Sequence, residues 1–217
     1  MPFKKMNSSE MNLLMAICSK AKNKKSDIVT FTFSELRVLA QYKGTSNKQL
    51  IESLKKLNRK LMSLTMSLEN EKEYTEFVLF ITYNINYEKS LLQVCVHPDF
   101  AYLLNSLTGN FTEFELREFV ALKGRYVKKC YLILKEFRFT GKWIVSVEDF
   151  RELLDIPDSY LTKDITRNII EPVQMELKAV FHNLTVESIR DRHDKSHSII
   201  RFEFFFDEEY YSPVLEK

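Results

Sequence analysis

The stretch Tyr160-Leu161-Thr162-Lys163-Asp164-Ile165-Thr166-Arg167-Asn168 gathers side chains that can read a base pair. Arg bonds bidentately to a guanine edge, Asn to an adenine edge, and Thr reaches a phosphate or a thymine methyl. Ile165 and Ile169 stand four residues apart, as on the apolar face of a helix. That leaves Thr162, Lys163, Thr166 and Arg167 on the other side, with Asn168 beside them. The free N–H groups of a helix start add affinity for phosphate. A polar helix face is often only solvated, so the reading needs support from the elements around it.

That support is a repeat. Thr30-Phe31-Thr32-Phe33-Ser34-Glu35-Leu36-Arg37-Val38-Leu39-Ala40 aligns with Ile144-Val145-Ser146-Val147-Glu148-Asp149-Phe150-Arg151-Glu152-Leu153-Leu154, at a constant offset of 114 residues. Each copy reads as a β-run, a hydroxyl cap, an acidic residue and an apolar-Arg-x-Leu helix, followed by a turn and a second, basic helix. A strand and two helices joined by a short turn is the order of a winged helix-turn-helix. A chain that carries it twice is built to grip two adjacent stretches of nucleic acid.

The spacing predicts a helix from Ser8 or Ser9, a strand over Ile28–Phe33 and a short helix over Ser34–Gln41. A longer helix runs from Asn47 to about Ser67, with Leu50, Leu54, Leu57, Leu61 and Leu64 on one face and Lys48, Lys55, Lys56, Arg59 and Lys60 on the other. Glu76–Tyr87 and Leu91–Val96 make a first wing, a helix opens at His97-Pro98-Asp99, and Phe111–Lys123 is a hinge helix. The second half repeats the plan: a helix over Tyr126–Phe137, a strand over Lys142–Val147, and a helix over Val147–Leu154 capped by Ser146. A recognition helix over Leu161–Lys178 is expected to kink or break at Pro172, and Leu184–Asp191 with Ser198–Phe206 form the second wing.

Other cation clusters are candidates for DNA contact. Lys48 and Gln49, at the start of the first long helix, could touch backbone or simply belong to an N-cap. Lys123, Arg125, Lys128 and Lys129 crowd the junction between halves, where they could clamp phosphates. Arg190, Arg192 and Lys195 sit with His193 and His197 at the second wing tip, although Asp191 and Asp194 partly offset them. The basic face Lys55, Lys56, Arg59 and Lys60 is of a kind usually just solvated.

Enzyme readings fare badly, and no catalytic residue is expected. Gly141-Lys142 lacks the rest of a phosphate-binding loop. His193 and His197 have no Cys pair nearby, so neither a metal nor another cofactor is expected. With 217 residues, 45% of them hydrophobic, the chain fits one large domain or two small ones, and the repeat decides for two. A net charge of +2 is nearly neutral, so DNA affinity must come from how charge is distributed. Three widely spaced cysteines in apolar surroundings suggest a reducing compartment. Without an apolar run of membrane-spanning length or a signal peptide, a cytoplasmic protein with no membrane partner is expected.

The second half carries a resemblance. Phe119-Val120-Ala121-Leu122-Lys123-Gly124-Arg125-Tyr126, Gly141-Lys142-Trp143-Ile144-Val145-Ser146-Val147-Glu148-Asp149-Phe150-Arg151 and Ile169-Ile170-Glu171-Pro172-Val173-Gln174-Met175-Glu176-Leu177 are similar to the plasmid replication-initiator (Rep) family, which binds iterons through tandem winged helices. Val173 stands where that family usually has Ala, and residues 7 to 97 match more weakly. The resemblance implies theta-type plasmid replication and initiator binding to repeated origin sites in double-stranded DNA. It also implies host replication proteins as partners, and a homodimer that is a monomer on DNA. The apolar hairpin 77–81 with 91–96 is a candidate dimer surface, or simply a buried wing. The expectation is an α+β chain of two tandem winged-helix domains related by pseudo-symmetry. Residues 1–116 would serve dimerisation and weaker DNA contact, and residues 117–217 main DNA recognition. A winged-helix transcriptional regulator or autorepressor without an initiator role is the alternative.

Overall fold

The computed structural model describes residues 5–21, 24, 27–63, 65–98, 113–191 and 198–209. The chain divides into two compact units, one from Met6 to Ala121 and the other from Leu122 onward together with Lys5. Each is a mixed helix-and-sheet winged helix.

In the first unit, α1 (Ser8–Ala21) is almost entirely buried. Asn7 and Glu10 cap its start reciprocally: Glu10 N–H donates to Asn7 Oδ1 and Asn7 N–H to Glu10 Oε2. Strand β1 (Val29–Thr32) leads into α2 (Phe33–Leu39), then α3 (Asn47–Met62), β2 (Thr65–Glu69), β3 (Tyr74–Val78), β4 (Phe80–Asn86) and β5 (Leu91–Val96). The sheet order is β1-β5-β4, all antiparallel. Phe31, Leu36, Leu50, Leu54, Leu57 and Leu92 are completely buried in the core under that sheet. A further helix, α4 (Glu113–Ala121), packs on α1. The Asn12 amide donates to Val120 O at 3.3 Å and pins that contact. The expected division at 116/117 therefore falls inside a helix that packs wholly with the first unit.

The second unit repeats the topology with α5 (Arg125–Glu136), β6 (Lys142–Ser146), α6 (Val147–Leu154), a long helix, β7 (Thr185–Arg190) and β8 (Ile199–Phe205). Its sheet order, β6-β8-β7, has the same form: the strand before the helix pair joins the last wing strand, which joins the other. Trp143, Phe150, Phe202 and Phe204 fill the core, with ring centroids 4.7 Å apart for Trp143–Phe204 and 4.9 Å for Phe150–Phe202.

Three expectations change. Helix α3 ends at Met62 rather than near Ser67, and the residues beyond it form β2. This strand pairs with β3 in a separate two-stranded ribbon that the sequence reading lacked. The expected strand Glu76–Tyr87 is broken at Leu79, whose carbonyl accepts from His97 N–H at 2.9 Å. The apolar hairpin proposed as a dimer surface is mostly consumed in its own unit: Phe77, Leu79, Phe80, Leu92, Val94, Cys95 and Val96 are buried, whereas Ile81 is exposed. The helix opening at His97 lies largely outside the described residues.

Candidate nucleic-acid interface

The two helix-turn-helix units share their N-caps and the hydrogen bonds that end their first helix. Thr32 caps α2 by accepting from Glu35 N–H at 3.0 Å, and Ser146 caps α6 by accepting from Asp149 N–H at 3.0 Å. Both helices then end in a left-handed residue at the same repeat position, Gln41 (φ 45°) and Asp155 (φ 57°). Tyr42 N–H reaches back to Arg37 O and Gln41 N–H to Val38 O; Ile156 and Asp155 do the same to Arg151 O and Glu152 O. This is the Schellman ending, with a non-glycine residue at its left-handed position in both copies.

The repeated arginine locks the turn. Arg37 donates to Gly44 O at 3.4 Å and to Asn47 Oδ1 at 2.9 Å. Arg151 donates to Tyr160 O at 2.6 Å and Pro157 O at 3.5 Å. Each guanidinium ties its own helix to the turn that launches the next one, so it fixes the angle at which the recognition helix leaves. The constant offset of 114 was the signal for this role.

The second recognition helix is continuous but changes its winding. It begins as α7 (Thr162–Ile165), passes through a π segment (Thr166–Ile170) and resumes as α8 (Glu171–Leu177). Glu171 N–H bonds Thr166 O five residues back. Pro172 brings no N–H and its ring crowds the carbonyl four residues earlier, so the chain widens instead of breaking. The widening also serves the core. The most deeply buried residues fall at 50, 54, 57 and 61 in α3, but at 165, 169, 173 and 177 here, with Ile170 buried beside them. A 4-4-4 spacing drifts off one face of an ordinary helix, and one inserted residue brings it back.

The predicted contact residues sort clearly. Lys163, Arg167 and Asn168 are exposed on the outer side of this helix. Arg167 stands 3.7 Å from Asp164, which also accepts Leu161 N–H at 3.0 Å. Thr162 and Thr166 are half-buried, and Thr166 donates its hydroxyl to Thr162 O at 3.2 Å. In α3, Lys48 is exposed, while Gln49 forms a capping box: its side chain accepts Ser46 N–H at 3.4 Å, and its own N–H goes to Ser46 Oγ at 3.2 Å. Gln49 makes the cap, one of the two readings left open for it. Lys123 is exposed, and Arg125 lies over the Tyr126 ring at 4.5 Å. Arg190 is exposed at the end of β7, and Arg192 and Lys195 lie outside the described residues.

Lys128 and Lys129 correct the expectation of a phosphate clamp: both are buried, 0% and 1% exposed. Lys129 Nζ donates to Leu154 O at 2.6 Å, at the end of α6. Asn12 does the same in the first unit, donating to Ala40 O at 3.0 Å. In each unit the first helix thus satisfies the last carbonyl of the helix before the turn, and in α6 the cation also meets the negative end of the helix dipole. Burial lowers the Lys128 pKa to about 7, opposed by the nearby Glu176 carboxylate. The basic face of α3 divides as well: Lys60 and Lys56 turn to the buried Glu10, the latter at 3.7 Å.

The family model described as "Initiator Replication protein, WH1" matches residues 1–135, and that described as "Initiator Rep protein, WH2" matches residues 146–206. The chain belongs to the initiator Rep protein family. It is 35% identical over 176 residues to a "Probable replication protein rep" of Bifidobacterium longum (strain NCC 2705), a match covering 80% of this chain and 59% of that one. The chain therefore spans about three fifths of that relative's length. Among solved structures, the Pi initiator protein in complex with iteron DNA is similar at a TM-score of 0.64 and 14% identity, covering 96% of this chain and 94% of that one. Domains 2 and 3 of RctB are similar at 0.53 and 10% identity, covering 93% and 83%. At these identities the likeness to this Rep family chain is one of fold. Among the described residues of the Rep chain, no helix is long and apolar enough to cross a membrane.

Proposed function

We propose that this chain binds repeated sites (iterons) in duplex DNA at a plasmid origin and initiates replication there without catalysing a reaction. The duplicated, arginine-locked helix-turn-helix carries the reading, because two fixed recognition helices in one chain suit adjacent stretches of one duplex. Membership of the Rep family and a fold shared with an initiator crystallised on iteron DNA support it. The second unit is the main reader, through Lys163, Arg167 and Asn168, with Thr162 and Thr166 lining the same face. Lys123 and Arg190 flank it as backbone contacts, and Arg192 and Lys195 extend the wing.

The first unit contributes less. Lys48 occupies the place of Lys163, but Glu52 stands where the second helix has Arg167, and Gln49 is held in its cap. A homodimer off DNA that is a monomer on it, host replication proteins as partners and a cytoplasmic location complete the proposal. A gel shift of the full chain on origin repeats, with and without excess random duplex, tests it. A retained complex is expected, and loss of all binding to the competitor overturns sequence specificity. Binding confined to a promoter palindrome would make the chain a transcriptional regulator instead.

A further inference from the structure

One open groove in the first unit has no place in that reading. It measures about 380 Å³ and runs between α3, which supplies Lys55, Asn58 and Arg59, and the wing strand β4 with its turn, which supply Tyr83, Ile85 and Tyr87. No carboxylate lines it. The Lys55 ammonium sits 5.3 Å over the Tyr87 ring and 3.2 Å from Glu52, and these two neighbours raise its pKa. Tyr83 donates its hydroxyl to Leu54 O at 3.2 Å, which fixes the floor against the helix backbone. Arg59 is exposed.

The spacing of the cations gives the groove a direction. Lys48, Lys55 and Arg59 recur at seven and four residues, two turns and one turn of helix, on a stripe about 16 Å long that also carries Glu52, the partner of Lys55. Lys56 and Lys60 fall off that stripe and are tied to Glu10. The basic face thus splits into a structural pair and a row of cations that ends in a polar trough. An open trough with cations, amides and ring faces, continuous with a recognition helix, fits a polyanionic strand better than a small apolar ligand.

We propose that the groove between α3 and β4 seats the phosphodiester backbone of one DNA strand, with Lys55 and Arg59 as its phosphate contacts and Tyr87 as the prop that aims Lys55. The site rests on the DNA-binding reading above and gives the first unit its own part in it. A backbone contact carries no sequence information, so its loss weakens every duplex alike and releases fewer counterions.

The test is the salt dependence of binding by the full chain, on origin repeats and on random duplex, for the wild type, Lys55→Ala, Arg59→Ala and Lys56→Ala. Lys55→Ala and Arg59→Ala are each expected to lower the log–log salt slope by about one unit on both duplexes. Lys56→Ala is expected to leave it unchanged. Unchanged slopes in both groove variants, with circular dichroism as in the wild type, overturn the site. So does saturable binding of inorganic phosphate that Arg59→Ala abolishes without altering the DNA slope, since that marks a small-anion site. Because random duplex is measured too, a failure of origin preference alone counts against the initiator reading and leaves the groove standing.

Discussion

At the scale of single residues, Arg167 and Lys128 show how one charge type does opposite work. Arg167 is 73% exposed, and its link to Asp164 is long and solvated, worth little and easily exchanged for a guanine edge. Arg167→Ala is expected to cost roughly 1–3 kcal/mol on the specific site and to relax preference at one base pair. Equal weakening on specific and random duplex would make it a backbone contact. Lys128 occupies a core position, and its role is read through stability. In the unfolded chain its amine stays protonated up to about pH 10.4, whereas burial brings the folded pKa down to about 7. Between those values the unfolded state binds more protons, so stability rises with pH through that window, and the full penalty is present below it. Lys128→Met should raise stability at pH 7 and flatten the rise towards pH 10. Trp143, the single tryptophan, is buried in the same unit, and its fluorescence during urea unfolding follows this directly. A variant no more stable than wild type at pH 7 would count against the burial cost.

At the scale of elements, the helix-turn-helix was legible because its determinants are local and repeated. Thr32 and Ser146, Leu36 and Phe150, and Arg37 and Arg151 stand at one offset; the pairs cap, fill the core and tie the turn in the same way, although the two arginines reach different turn atoms. The π segment was half legible: Pro172 announced an irregularity, but the 4-4-4 core spacing that makes it a widening went unread. Ribbon β2–β3 was missed because the leucine period runs on past Leu61 with no Gly or Pro to stop it. Lys129 was misplaced because its partner, the Leu154 carbonyl, is distant in sequence and invisible to composition. Arg151→Ala removes two charge-assisted bonds from the turn and should destabilise the second unit by roughly 1–3 kcal/mol. Arg151→Lys should not restore it, because an ammonium lacks the planar fork that spans two carbonyls. Trp143 fluorescence reads both variants, and full rescue by Lys would reduce the lock to simple charge.

At the scale of the whole molecule, a net charge of +2 sets a limit that local clusters cannot escape. The junction cluster offers fewer surface cations than its sequence promises, since Lys128 and Lys129 are inside and Arg125 lies on Tyr126. What remains as proposed backbone contacts among the described residues is a short set: Lys48, Lys55 and Arg59 in the first unit, Lys123 and Arg190 in the second. About five phosphate contacts at 0.9 counterions each give a salt slope of roughly −4.5 for one chain on one site. Origin repeats titrated between about 50 and 200 mM salt should return a slope near that value. The two halves should also separate in kind. Removing first-unit cations should flatten the slope and weaken all duplexes together, whereas removing Arg167 should shift preference among sequences. A slope near −10 would mean that two chains share each site or that the wing tip carries most of the charge. Specificity lost on removing Lys55 or Arg59 would place base reading in the first unit and reverse the division of labour.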